Sequence, residues 1–157
     1  MKIKEFIKRN WSYALIIVLA LVIRQTKVFA INIVDGESMM STLHHGQIVL
    51  GSSIKSLKRG DVVVAKSGDK LVIKRIVGLP GEIVEYRNGG LYIDNKLLEE
   101  DYIEEGRDAN SKQQAWYYEV PEDYYLILGD NRDNSYDGRY YGPIPKEEIL
   151  EKIYIQF

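Results

Sequence analysis

The sequence predicts a mainly β protein, with an N-terminal transmembrane helix followed by a compact antiparallel β-barrel-like domain. Three observations predict it. An apolar stretch with basic flanks opens the chain, short runs rich in β-branched and aromatic residues follow, and turn-forming pairs separate those runs at regular intervals. At 157 residues the chain is long enough for one domain with a real core. It has no cysteine, which excludes a disulfide framework, a thiol nucleophile and a Cys-based metal site.

The opening segment is apolar from Trp11 to Ile23 apart from Ser12. As a helix this stretch spans only about 20 Å, short of a hydrocarbon core of about 30 Å. Apolar character resumes at Val28-Phe29-Ala30-Ile31. A helix from Trp11 to about Ala30 is long enough to cross if Arg24 and Lys27 snorkel to the interface. Lys2, Lys4, Lys8 and Arg9 outnumber Arg24 and Lys27, so the positive-inside rule places the N-terminus in the cytoplasm. Residues 1–30 are then a cytoplasmic N-terminus with a single membrane anchor, and 31–157 a body outside the membrane. A cleaved leader is the competing reading, with Val28-Phe29-Ala30 as its cleavage site. Arg24 and Lys27, between the apolar region and that site, count against it.

Charge separates the two parts. Residues 1–27 carry a net +5 and the remainder a net −7, for −2 overall. An acidic body argues against nucleic acid as a partner, because phosphate binding needs a basic face. A basic head fits the anionic surface of a lipid bilayer.

In the body, strands are expected at Ile48–Leu50, Val62–Val64, Leu71–Val77, Ile83–Tyr86, Leu91–Ile93, Tyr124–Leu128 and Ile153–Ile155. His45-Gly46, Arg59-Gly60-Asp61, Gly68-Asp69, Pro80-Gly81, Asn88-Gly89-Gly90, Asp94-Asn95 and Gly129-Asp130-Asn131 mark the turns between them. Asn88-Gly89 between two alternating runs is the strongest hairpin signal. Residues 99–119 begin with a polar stretch and read as a long surface loop ending near Trp116-Tyr117-Tyr118. Glu147–Lys152 reads as a short helix.

Two residues carry the chemistry. Ser38 lies in Gly36-Glu37-Ser38-Met39-Met40-Ser41-Thr42-Leu43, and Lys74 lies in the apolar run Leu71 to Val77. A serine hydroxyl is a weak nucleophile until a base takes its proton. Strand alternation puts Val72, Lys74 and Ile76 on one face, where burial disfavours the charged amine. At a pKa near 10.4 only about one lysine in 2,500 is neutral at pH 7, and tuning to ~8 raises this to roughly one in ten. The ordinary readings are a turn serine and an edge-strand lysine that blocks aggregation; the apolar neighbours of Lys74 argue against the second.

Other motifs fail on inspection. Ser38 lacks the second glycine of a nucleophile elbow. Ser52-Ser53-Ile54-Lys55 and Lys66-Ser67-Gly68 imitate β-lactamase-type boxes in too short a chain. His44-His45 sits in a polar turn, and Asp133 to Gly138 imitates a calcium loop without its closing glutamate or flanking helices. No metal or cofactor is expected.

Four ordered stretches together resemble the type I signal peptidases, membrane-bound Ser-Lys serine endopeptidases that remove signal peptides from exported precursors. They are Gly36 to Leu43, Lys58 to Val64, Lys74 to Gly81, and Gly129 to Arg139 with Gly142-Pro143. The resemblance implies Ser38 as nucleophile, Lys74 as general base, and Ser135 as a hydrogen-bond partner that orients Lys74. It implies the Ser38 N–H as one oxyanion donor. Gly36 stands where some members place a second, side-chain donor, so that donor is expected to be backbone. Arg75, Asp130, Asp137 and Arg139 are expected to brace the site. Met39, Leu43 and Ile73 are expected to line small pockets for the substrate residues at −1 and −3, with the substrate added as a strand. Ser41 replaces a usual proline, so a looser turn after Ser38 is expected; Gly138 replaces a common serine, where a small residue is still expected to fit. The implied partners are signal-peptide-bearing precursors and the lipid bilayer, for a monomer on the outer face of the cell membrane.

Competing functions are a pilin- or precursor-dedicated enzyme, a non-cleaving assembly factor, and a self-cleaving regulator. The last needs a DNA-binding domain where this chain has an apolar span. The non-cleaving reading is disfavoured because both Ser38 and Lys74 are present.

Overall fold

The computed structural model describes residues 10–19, 21, 29–53, 56–103 and 115–156. Residues 10–19 are helical (α1). The described strands are β1 (Phe29–Ile33), β2 (Ile48–Ser52), β3 (Val62–Ser67), β4 (Lys70–Gly78), β5 (Ile83–Arg87), β6 (Gly90–Ile93), β7 (Lys96–Leu97), β8 (Trp116–Glu119), β9 (Tyr124–Leu128), β10 (Ile144–Pro145) and β11 (Ile149–Gln156). A single helical turn, α2 (Gly138–Tyr141), precedes β10.

The strands form two antiparallel sheets. One runs β1-β2-β11-β3-β4-β9-β10 and the other β7-β6-β5-β8. The barrel-like expectation is corrected here: β1 and β10 stand at opposite ends of the larger sheet and do not pair, so it stays open. Bulges in β11 and at the end of β4 supply the bends that let the sheets pack.

β4 is the central element because its successive side chains enter three different apolar clusters. Val77 packs with Val84, Leu91, Leu126 and Leu128 between the two sheets. Ile76 joins Val63, Ala65, Ile127 and Ile149, and Ile73 lies against Val34, Met39, Leu43 and Val49. Strand alternation built from β-branched residues is what lets one segment serve opposite faces.

The hairpin at Asn88-Gly89 forms as expected, with φ of 51° and 79° and Arg87 paired with Gly90. Three expectations are corrected: the end of the N-terminal helix at Ala30, the helix over Glu147–Lys152 and the loop reaching residue 119. Among the described residues no helix is long and apolar enough to cross a membrane. Phe29 and Ala30 belong to β1, paired with Ser52 and Gly51, so a helix cannot continue to Ala30; residues 20 and 22–28 of that expected span lie outside the described residues. Lys146–Glu148 is one 3-10 turn, after which Ile149 enters β11, because β-branched Ile149 and Ile153 are recruited to the sheet core. Trp116–Glu119 is also a strand, paired with β5, while residues 104–114 of the expected loop lie outside the described residues.

Gly78 lies at a tight approach of the two sheets. A Cβ there would meet Val84 Cγ2 at 2.7 Å and Leu126 Cβ at 2.9 Å. Gly78→Ala is expected to lower stability by about 1–3 kcal/mol through overpacking, read as a lower urea midpoint at unchanged slope; an unchanged midpoint contradicts this account of the junction.

Candidate active site

The nucleophile loop is built outward from the core. Met39 and Leu43 are each 1% exposed and pack with Val34 and Val49. The turn between them is tied by Met40 N–H to Glu37 O and by Leu43 N–H to Met39 O. Ser38, just before Met39, is thereby held at the surface of that cluster. Asn131 clamps the loop from the other side: its backbone N–H donates to Ser38 O at 3.0 Å and its Nδ2 to Glu37 O at 3.0 Å. Gly129 makes this approach possible, since a Cβ there would fall 2.5 Å from Ser38 O and 2.2 Å from Ser135 Oγ.

Lys74 comes from the middle of β4 and is only 4% exposed. Its Nζ lies 2.6 Å from Ser38 Oγ and 3.0 Å from Ile73 O. Burial lowers the Lys74 pKa from its ordinary value, with Arg139 adding to the effect; Asp137 and Asp130 oppose it but do not restore the usual value. A lysine in contact with a serine hydroxyl and driven toward its neutral form can take that proton.

Arg75, the next residue, points the other way. Its Nε and Nη2 grip Asp130 at 2.9 and 2.7 Å, Nη1 donates to Gly60 O at 2.7 Å, and Nη2 reaches Thr42 Oγ1 at 3.1 Å. A bidentate pair of this kind fixes orientation as well as charge. Asp137 is fully buried and accepts from Gly129 N–H at 2.9 Å and from Arg139 Nε and Nη2 at 2.8 and 2.9 Å. Burial alone raises its pKa, but the Arg139 guanidinium, Gly129 N–H and Ser135 outweigh this and hold it below the usual carboxylate value.

Two implied roles are not seen in the structure. Ser135 Oγ is buried beside Gly129 and makes no hydrogen bond to Lys74. The Gly36 N–H donates to His45 Nδ1 at 3.1 Å, so it is already engaged and is not free as an oxyanion donor. Among the pocket residues, Ile73 and Met39 line a groove with Ser38 and Lys74, whereas Leu43 faces a separate cavity with Thr42, Gly60 and Ile153.

Sequence reasoning missed a strap from the segment after β7. Glu100 receives Arg132 Nη1 and Nη2 at 3.1 and 2.5 Å, and Arg132 Nε in turn donates to Gly129 O at 3.1 Å. The Arg75 guanidinium stacks 4.1 Å from the Tyr102 ring centroid. Ser41 Oγ lies 2.5 Å from Met40 O and 3.2 Å from Tyr102 O. Nothing in a polar stretch of sequence distinguishes these two anchors from solvated loop residues.

A family model for signal peptidase, peptidase S26, matches residues 3–157. This chain belongs to the signal peptidase family. The peptidase is 38% identical over 144 residues to signal peptidase I S of Bacillus subtilis (strain 168), covering 83% of this chain and 77% of the relative. It is 32% identical to signal peptidase I V of the same organism, covering 91% and 95%. The crystal structure of a signal peptidase I from Enterococcus faecalis V583 superposes with a TM-score of 0.58 at 36% identity, covering 65% of this chain and all of that one. The family assignment makes this peptidase a serine endopeptidase that removes signal peptides from exported precursors.

Ser41 adopts φ 82°, a left-handed conformation closed to proline, whose ring fixes φ near −65°. Ser41→Pro, although it restores the residue usual in the family, is therefore expected to destabilise this turn by about 1–3 kcal/mol and to lower kcat/KM. A variant that is faster and equally stable contradicts the turn geometry described here.

Proposed function

We propose that Ser38 and Lys74 form the catalytic dyad. The observation that carries this is the 2.6 Å contact between Lys74 Nζ and Ser38 Oγ at a lysine only 4% exposed. Neutral Lys74 takes the Ser38 proton as Oγ attacks the scissile carbonyl, and the protonated amine delivers that proton to the leaving nitrogen. The acyl-enzyme is then hydrolysed by water, with Lys74 as base again. The Ser38 N–H serves the oxyanion, with the nucleophile loop held rigid by Asn131 and Met39. Arg75, Asp130, Asp137 and Arg139 act as positioning residues.

The substrate lies extended in the groove between β1 and the first half of β4, completing the sheet beside the open edge of β1. Small residues at −1 and −3 are accepted by the part of this groove lined by Met39, Val64 and Ile73. Residues 1–30 anchor the chain with the N-terminus in the cytoplasm, and residues 31–157 act as a monomer on the outer face, β1 itself starting two residues earlier. The exposed apolar side chains of α1, among them Trp11, Leu15 and Leu19, support contact with lipid.

Ser38→Ala and Lys74→Ala are each expected to reduce cleavage of a precursor with an Ala-x-Ala site by about a thousand-fold or more while remaining folded. Normal turnover by either purified variant in detergent sinks the dyad. The acid limb of the kcat/KM profile is expected below 10.5, the ordinary lysine value, because Lys74 is shifted downward. Between that lowered value and 10.5 the unfolded chain binds more protons than the folded one, so stability rises with pH across this window. Denaturation at several pH values is therefore expected to show the parent gaining on Lys74→Met as pH rises; a constant difference contradicts a shifted lysine.

A further inference from the structure

The groove that leads to Ser38 is not apolar throughout. On β1 the inward face carries Ala30, Asn32 and Val34, while Phe29, Ile31 and Ile33 are exposed on the other. Val34 is 3% exposed and packs on Met39, close to the nucleophile. Asn32, two residues back on the same face, lines the far part of the groove.

The orientation of the Asn32 amide is set by a residue two strands along the larger sheet, on β11. Asn32 Nδ2 donates to Glu151 Oε2 at 2.7 Å. Glu151 reaches it by lying across Gly51 of β2, where a Cβ would meet Oε2 at 2.3 Å. A carboxylate accepts and does not donate, so the amide nitrogen must face Glu151 and the carbonyl oxygen must face away from it. Asn32 Oδ1 is thus a fixed acceptor at the groove.

We propose that Asn32 is a specificity-determining residue that selects a hydroxyl-bearing side chain, serine above alanine, at substrate position −3. The proposal rests on the extended substrate pose given above. In such a pose side chains two residues apart point the same way and lie about 6.5–7 Å apart, as Val34 and Asn32 do along β1. With the −1 side chain beside Val34, Met39 and Ile73, the −3 side chain falls beside Asn32. A serine hydroxyl there donates to Asn32 Oδ1, whereas an alanine leaves that oxygen facing a methyl group. The −2 side chain points the opposite way and gains nothing.

The test is internal competition. Full-length protein in detergent is given pairs of precursors that differ only at −3 (Ser against Ala) or only at −2 (Ser against Ala), and the ratio of kcat/KM is read within one tube. This ratio does not depend on how much enzyme is folded. The parent is expected to prefer Ser at −3 by about three- to ten-fold, the worth of one neutral hydrogen bond, and to show no preference at −2. Asn32→Leu is expected to abolish or reverse the −3 preference, and Glu151→Ala, which frees the amide to rotate, to weaken it. A −3 preference absent in the parent, or unchanged in both variants, overturns the proposal while leaving the peptidase assignment standing. Cleavage of no precursor by the parent overturns the substrate assignment and this inference with it.

Discussion

Asp137 carries a negative charge with no access to water, and much of the site is arranged around satisfying it. A buried carboxylate is tolerated only when its oxygens are taken up by good donors. Here Arg139 supplies a bidentate grip, and the Gly129 N–H takes a further bond. Fixing Gly129 fixes the neighbouring strand end of β9, and with it Asn131, which holds the carbonyls of Glu37 and Ser38. The same charge acts on Lys74 through space, so one carboxylate influences both the position of Ser38 and the protonation of Lys74.

A second buried pair, Arg75 with Asp130, performs a complementary task on the opposite face of β4. Because Lys74 and Arg75 are adjacent on a strand, their side chains must diverge. Whatever holds the Arg75 guanidinium therefore sets the rotation of β4 and the aim of Lys74. Thr42, Gly60 O and the Tyr102 ring complete that grip, linking the nucleophile loop, the turn before β3 and the segment after β7. Buried ion pairs are weak arguments for stability but good ones for geometry, since a misplaced partner leaves a charge unsatisfied.

Most of this was legible in the sequence where chemistry and periodicity coincide. Lys74 stands out because a charged residue interrupts an apolar strand, and Ser38 because it is surrounded by turn formers. Most strands from Ile48 to Leu128 announce themselves by β-branched runs between Gly, Asp and Asn; Lys96–Leu97 and Trp116–Glu119 do not. What sequence alone could not supply was long-range pairing. Phe29 and Ala30 read as the end of an apolar helix until Ser52 and Gly51 are seen beside them. Glu100 and Tyr102 lie in a polar stretch and gain meaning only by meeting Arg132 and Arg75. The His45 imidazole is a solvated turn residue by sequence, yet it occupies the Gly36 N–H.

The shift of Lys74 comes chiefly from its removal from water, and β4 excludes water only when three apolar clusters have closed around it. An incompletely folded chain therefore carries an ordinary, charged, solvated lysine at this position. Assembly of the core withdraws that charge, and separation of the sheets restores it. Under the Ser-Lys reading proposed above, competence to cleave arises only with the folding event itself.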